Sequence, residues 1–112
     1  MRCAAIDIGS NSVKMLIADR TTASEVESGS EPWQRVEELG EQTRLAQGLY
    51  ETGVMNPERI QATLEVLRKM KEQGQRAGVQ HWFAFATSAV REAKNQGDFH
   101  ALLKSELDLD LT

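Results

Sequence analysis

The 112-residue chain has one cysteine, Cys3, and two histidines, His81 and His100. A single cysteine excludes an internal disulfide and a cysteine-based zinc site, and it suits a reducing cytosol. Strand packing is the expected role of Cys3. The two histidines fall in different expected elements, so His81 reads as an edge or packing residue and not as part of a metal site. Positive charge is not in excess: 13 Lys and Arg stand against 17 Asp and Glu, a net charge of −4. This balance argues against a general binder of nucleic acid or of acidic membrane, although a local basic pocket is compatible with it. Long apolar runs are missing as well. No stretch approaches the roughly 20 residues of a membrane span. The apolar N-terminal run is short and broken by Asp7, unlike a signal peptide. With 40% hydrophobic and 27% charged residues, the composition is that of an ordered, soluble, cytoplasmic domain with a modest core.

What is present is organised around Ala4–Asp19, AAIDIGSNSVKMLIAD. Ala4, Ala5 and Ile6 read as a buried strand with Asp7 at its end. Gly9, Ser10, Asn11 and Ser12 form a tight turn. Val13, Met15 and Ile17 alternate with Lys14, Leu16 and Ala18, as in a returning strand. Gly9 permits close approach of backbone to a ligand. Successive N–H groups in such a turn can face an anion, with the Ser10 and Ser12 hydroxyls as further donors. A carboxylate beside a phosphate is repulsive unless a cation lies between them, which makes Asp7 a candidate to support Mg²⁺ through water. A hairpin with this turn also occurs in proteins that bind no anion.

Arg20–Pro32 reads as a turn or a loose hairpin tip. Trp33–Leu39 is expected to be a third strand, with Trp33, Arg35 and Glu37 on one face and Gln34, Val36 and Glu38 on the other. Gly40–Gly53 is a polar loop with Arg44 and Leu45 in its middle. Asn56-Pro57 has the form of a helix start, with Asn as N-cap and Pro at the first helical position. Ile60, Leu64, Leu67 and Met70 then make one apolar stripe. Lys69, Lys71 and Arg76 suit the helix end, and Gly74 or Gly78 terminates it. Val79–Ala86 is expected as a strand buried on both faces. Thr87 or Ser88 would cap a following helix whose N-terminal amides favour anions. Arg91 falls in the first turn of that helix, where the dipole disfavours a cation; this points to a phosphate contact, or to an ion pair with Glu92 or a neighbour. Gly97 ends the helix. Asp98 caps a last one carrying Phe99, Leu102, Leu103 and Leu107.

If the first strand and the Val79 strand lie side by side and parallel, both polar turns open on one sheet edge, where ligands of α/β folds bind. Asp7, Ser10–Ser12 and Arg91 would then converge on one anion.

AIDIGSNSVKMLIAD resembles the opening phosphate loop of the exopolyphosphatase/guanosine pentaphosphate phosphatase (Ppx/GppA) family. FAFATSAVREAKN resembles that family's second signature, at about the right distance, and ELGEQTRLAQGLYETGVMNPERIQATLEVL resembles its linking segment. The first motif is shared with the wider actin and sugar-kinase superfamily. Val13-Lys14 departs mildly from the pair that usually follows SNS. The resemblance implies an α/β, ribonuclease-H-like mixed sheet with flanking helices, and residues 1–112 would be the N-terminal portion of a first actin-like domain. It implies removal of a terminal phosphate from polyphosphate or guanosine pentaphosphate with Mg²⁺. Asp7 would support the metal, Gly9, Ser10, Asn11 and Ser12 would line the phosphate channel, and Arg91 would bind phosphate. Glu92 and Asn95 would position the loop and helix. In relatives an SGEEEA-like segment with the catalytic glutamate and a DIGGGS-like second phosphate loop follow, so both are expected beyond Thr112, as is the sheet's fifth strand. Glu106, Asp108 and Asp110 have no motif around them and do not replace that glutamate. The chain alone is therefore expected to bind polyphosphate weakly without hydrolysing it, and to self-associate through the uncovered sheet edge. Two other classes are a non-catalytic polyphosphate- or alarmone-sensing module and an actin-like ATPase or kinase fragment; TSAVREAKN argues against the latter.

Overall fold

The computed structural model describes residues 1–29 and 31–111. Ser30, in the expected Arg20–Pro32 turn, and Thr112 lie outside the described residues. The elements are β1 (Arg2–Ile8), β2 (Ser12–Arg20), α1 (Ala23–Glu27), β3 (Trp33–Gln42), α2 (Leu49–Thr52), α3 (Pro57–Arg76), β4 (His81–Ala86), α4 (Ser88–Glu92) and α5 (Gln96–Leu107). The four strands form one mixed sheet in the order β3-β2-β1-β4. β1 is antiparallel to β2 and parallel to β4, as the two-turn reading required. No helix among the described residues is long and apolar enough to cross a membrane.

Alternation along the strands sorts the side chains by face. Ala4, Ile6 and Ile8, with Val13, Met15 and Ile17, are buried on one side of the sheet, and Ala84 joins them from β4. Helices α3 and α5 cover this side with Ile60, Leu64, Leu67, Met70, Phe99, Leu103 and Leu107. The apolar stripe of α3 is thus the one its sequence spacing predicts. Asn56 caps α3 by accepting the Glu58 N–H at 2.8 Å, with Pro57 at the first position. Gly78 follows the helix end at φ 84°. Gly74 has a different role inside α3. A methyl group there would lie 2.2 Å from the Trp82 ring, so glycine is what lets β4 pack closely on the helix. Lys71 completes this corner: its ammonium sits 4.9 Å from the Trp82 ring centroid and donates to the Leu107 carbonyl at the end of α5.

Four expectations are corrected. β4 is not buried on both faces: Phe83 and Phe85 are 46% and 42% exposed on the side without helices, beside Leu16 and Trp33. An unbroken apolar run cannot distinguish two covered faces from one covered face and one apolar bare one. Trp33, Arg35 and Glu37 do not share a face, because Val36 is bulged out of the β2–β3 register, leaving Ala18 opposite Arg35 and Ile17 opposite Glu37. A bulge of this kind reverses the alternation. Arg20–Pro32 joins the antiparallel β2 and β3 as a hairpin tip would, but it contains a short helix, α1. Finally, Gly97 ends no helix. Ala93 adopts an extended conformation after α4, and Gly97 lies within the first turn of α5, which Asn95 precedes. Cys3 is a free, buried strand residue, as expected. After α5, Leu109 is buried and Leu111 forms a parallel bridge with Ala84. Among the described residues, the β4 edge carries this one bridge and pairs with no further strand.

Candidate anion site at the β1–β4 edge

The last pair of the parallel β1–β4 ladder is Ile8 with Ala86. Both chains turn immediately afterwards, at the same edge of the sheet. The Thr87 N–H donates to the Ile8 carbonyl at 3.2 Å. The Ser10 and Thr87 hydroxyls lie 3.3 Å apart in hydrogen-bond contact. Two polar turns separated by 77 positions in sequence thus meet directly. Thr87 stands at the N-cap of α4, but its side chain makes no cap bond and pairs with Ser10 instead. Its part in the site is absent from the sequence reading, which treated it only as a cap. The available signal was a threonine directly after the strand expected to lie parallel beside β1.

The Gly9–Ser12 loop closes on itself, with the Gly9 N–H donating to the Ser12 carbonyl at 2.9 Å. A Cβ at Gly9 would lie 2.7 Å from that same oxygen. Glycine is therefore needed for the loop's own closure, whether or not a ligand approaches. The carbonyls at the loop tip are taken by the segment after β3. Thr43 and Arg44 N–H groups donate to the Asn11 carbonyl at 2.9 and 3.0 Å, and Ala46 N–H donates to the Ser10 carbonyl at 2.9 Å. The Ser10 and Asn11 N–H groups have no acceptor among the described residues. Unpaired backbone donors beside a pair of hydroxyls are the raw material of an anion site.

Asp7 lies on the bare face of β1, exposed, opposite Lys14 on β2 and Phe85 on β4. Among the described residues no three His, Cys, Asp or Glu side chains cluster as a metal site. A lone carboxylate still fits Mg²⁺, which keeps most of its waters and takes one or two carboxylates plus substrate phosphate. Arg91 is exposed on α4 and forms no ion pair among the described residues, so the pairing with Glu92 is not made. The expected first-turn position is corrected: Arg91 is in the last turn of the five-residue α4, where the dipole favours a cation, so the dipole argument for a phosphate contact falls away. The base of α4 is rigidly seated. Val90 and Ala93 are buried, and Asn95 exchanges two hydrogen bonds with the Met55 backbone, at 2.9 and 3.0 Å. Lys94 N–H also donates to the Gly53 carbonyl at 2.9 Å. Asn95 is thus a positioning residue for this segment, as expected.

A family model described as the Ppx/GppA phosphatase family matches residues 22–112. The chain belongs to the Ppx/GppA phosphatase family. The matched residues contain the α4 segment but not the Gly9–Ser12 loop, and solved structures supply the comparison there. The crystal structure of the Aquifex aeolicus Ppx/GppA family member is similar over all of this chain, with 33% identity and a TM-score of 0.86. The type II variant from the same organism matches at 33% identity and a TM-score of 0.85. An exopolyphosphatase from Cytophaga hutchinsonii shares the fold over 99% of the chain, with 24% identity and a TM-score of 0.86. The chain spans about a third of these relatives, 35%, 35% and 33% of their lengths. Family membership carries the ribonuclease-H-like, actin-type fold and a phosphatase-like function for the family as a whole.

Proposed function

We propose that this chain is the phosphate-holding part of a phosphatase that removes terminal phosphates from inorganic polyphosphate or guanosine pentaphosphate. The observation that carries this reading is the meeting of Ser10 with Thr87 beside the unpaired Ser10 and Asn11 N–H groups. Gly9, Ser10, Asn11 and Ser12 line the phosphate channel, with backbone N–H groups and hydroxyls as donors. Arg91 supplies the fixed positive charge that phosphate requires. Asp7 supports a hydrated Mg²⁺, which would neutralise phosphate charge. Holding phosphate without activating water supplies only part of a phosphatase's rate enhancement. The family resemblance assigns the catalytic glutamate to a motif that residues 1–112 do not contain. The 112-residue chain thus binds polyphosphate weakly and turns it over at no useful rate.

The test is release of orthophosphate from polyphosphate by the pure chain with Mg²⁺. The expected result is none above background, with saturable binding that weakens at least tenfold in Arg91→Ala. Mg²⁺-dependent release that Arg91→Ala abolishes contradicts the division of labour. The open β4 edge supports self-association of this chain, read as concentration-dependent sedimentation.

A further inference from the structure

We propose that Thr43–Ala46 is a backbone clamp that fixes the peptide orientation of the anion loop, with the Ala46 N–H as its positioning group. The inference rests on reading Gly9–Ser12 as the anion loop, and it assigns a role to a segment outside both phosphate-loop motifs. A trans peptide is planar, so its C=O and N–H point in opposite directions. No peptide bond among the described residues is cis. The Ser10 carbonyl and the Asn11 N–H belong to one such plane. Because that carbonyl accepts from Ala46 at 2.9 Å, the Asn11 N–H must point away from Ala46. The Asn11 carbonyl and the Ser12 N–H share the next plane. That carbonyl accepts from both Thr43 and Arg44, so the Ser12 N–H points away from them.

The clamp thus sorts the loop. Both tip carbonyls, which would repel an anion, turn towards the β3–α2 connection. The N–H groups that would attract one turn to the opposite side. Freed from these bonds, either peptide could rotate about its flanking dihedrals and present a carbonyl where an N–H now stands. The clamp segment is itself built to hold. Thr43 and Leu45 are buried, and Arg44 adopts φ 52°, a left-handed conformation that a non-glycine residue keeps only when its surroundings impose it. Arg44 acts here through its N–H. Its side chain is exposed.

An ester in place of the Leu45–Ala46 amide deletes the Ala46 N–H and little else; Ala46→Pro deletes it genetically. Both are compared by titrating ¹⁵N-labelled chain with tripolyphosphate and following the Asn11 amide resonance. The ester is expected to weaken binding at least tenfold while the amide spectrum stays folded, and Ala46→Gly, which keeps the N–H, restores the native affinity. Binding within twofold of native by a folded ester variant overturns the clamp. If the native chain binds no tripolyphosphate, the functional reading fails, and hydrogen exchange still decides the clamp. A protected Ala46 amide beside a freely exchanging Asn11 amide supports it, and the reverse pattern overturns it.

Discussion

Replacing Gly9 by alanine puts a methyl group where the loop keeps one of its own carbonyls. The new Cβ would lie 2.7 Å from the Ser12 oxygen, closer than such atoms ever approach, and the neighbour is backbone, which cannot swing aside. Relief requires the Gly9–Ser12 closure to open, with loss of the 2.9 Å hydrogen bond between the Gly9 N–H and the Ser12 carbonyl. Loss of that bond costs about 1 kcal/mol. Forcing extra volume into a packed site costs about 1–3 kcal/mol more. Alanine restricts the unfolded chain and returns about 0.4–1 kcal/mol. The net destabilisation is about 1–3 kcal/mol, which for a chain of this length lowers Tm by about 4–12 °C. Thermal unfolding followed by circular dichroism reads this directly. Tripolyphosphate affinity should fall in the same variant, since the displaced groups flank the Ser10 and Asn11 donors. A Tm within about 2 °C of the parent, or above it, would refute the reasoning, because it would mean that the loop has room for a side chain.

Other outcomes follow from the same geometry. Asn95→Ala strips both partners from the backbone of fully buried Met55 and should cost about 2 kcal/mol, seen as a lower urea midpoint; an unchanged midpoint would show that the bonds contribute nothing. Thr43→Val should raise that midpoint by about 1 kcal/mol of stability, because the Thr43 hydroxyl is buried without a hydrogen-bond partner among the described residues. In acid, Asp19 and Asp108 should contribute to unfolding. The Arg2 side-chain hydrogen bond holds Asp19 below its ordinary pKa of 3.8, and the Lys104 hydrogen bond does the same for Asp108. A carboxylate with a lowered folded pKa stabilises the native state above its unfolded value and loses that contribution as pH falls through the folded one. Arg2→Met should therefore flatten the acid limb of a Tm–pH profile below 3.8, and an unaltered limb would show that the Arg2–Asp19 pair is inert.

The parts of this molecule written in side chains were legible. Alternation at Val13, Met15 and Ile17, the Asn56-Pro57 start and the stripe from Ile60 to Met70 each reflect a burial pattern, and the sheet and α3 follow them. The parallel pairing of β1 with β4 was accessible because both strands end in polar turns of the same kind. The bulge at Val36 was not, since a register shift depends on the partner strand. Nor was the bare face of β4, since Phe83 and Phe85 look the same in sequence whether a neighbouring element covers them or not. The short length of α4 depends on Ala93 turning extended to seat Asn95 on Met55, a contact spanning 40 residues. The support from Thr43–Ala46 is backbone to backbone and leaves almost no trace in residue type. Only the left-handed Arg44 and the unpaired Thr43 hydroxyl mark the segment, and both emerge only with the fold.

Everything proposed for this chain requires that the β1 and β4 turns together hold phosphate. A titration of the ¹⁵N-labelled chain with tripolyphosphate and Mg²⁺, with orthophosphate monitored in the same samples, tests it most directly. The Ser10, Asn11, Thr87 and Arg91 amides should shift together along one saturating curve, with no orthophosphate released. Shifts confined to the mixed-charge surface around Arg68, Lys71 and Lys104, with those four amides unmoved, would contradict it.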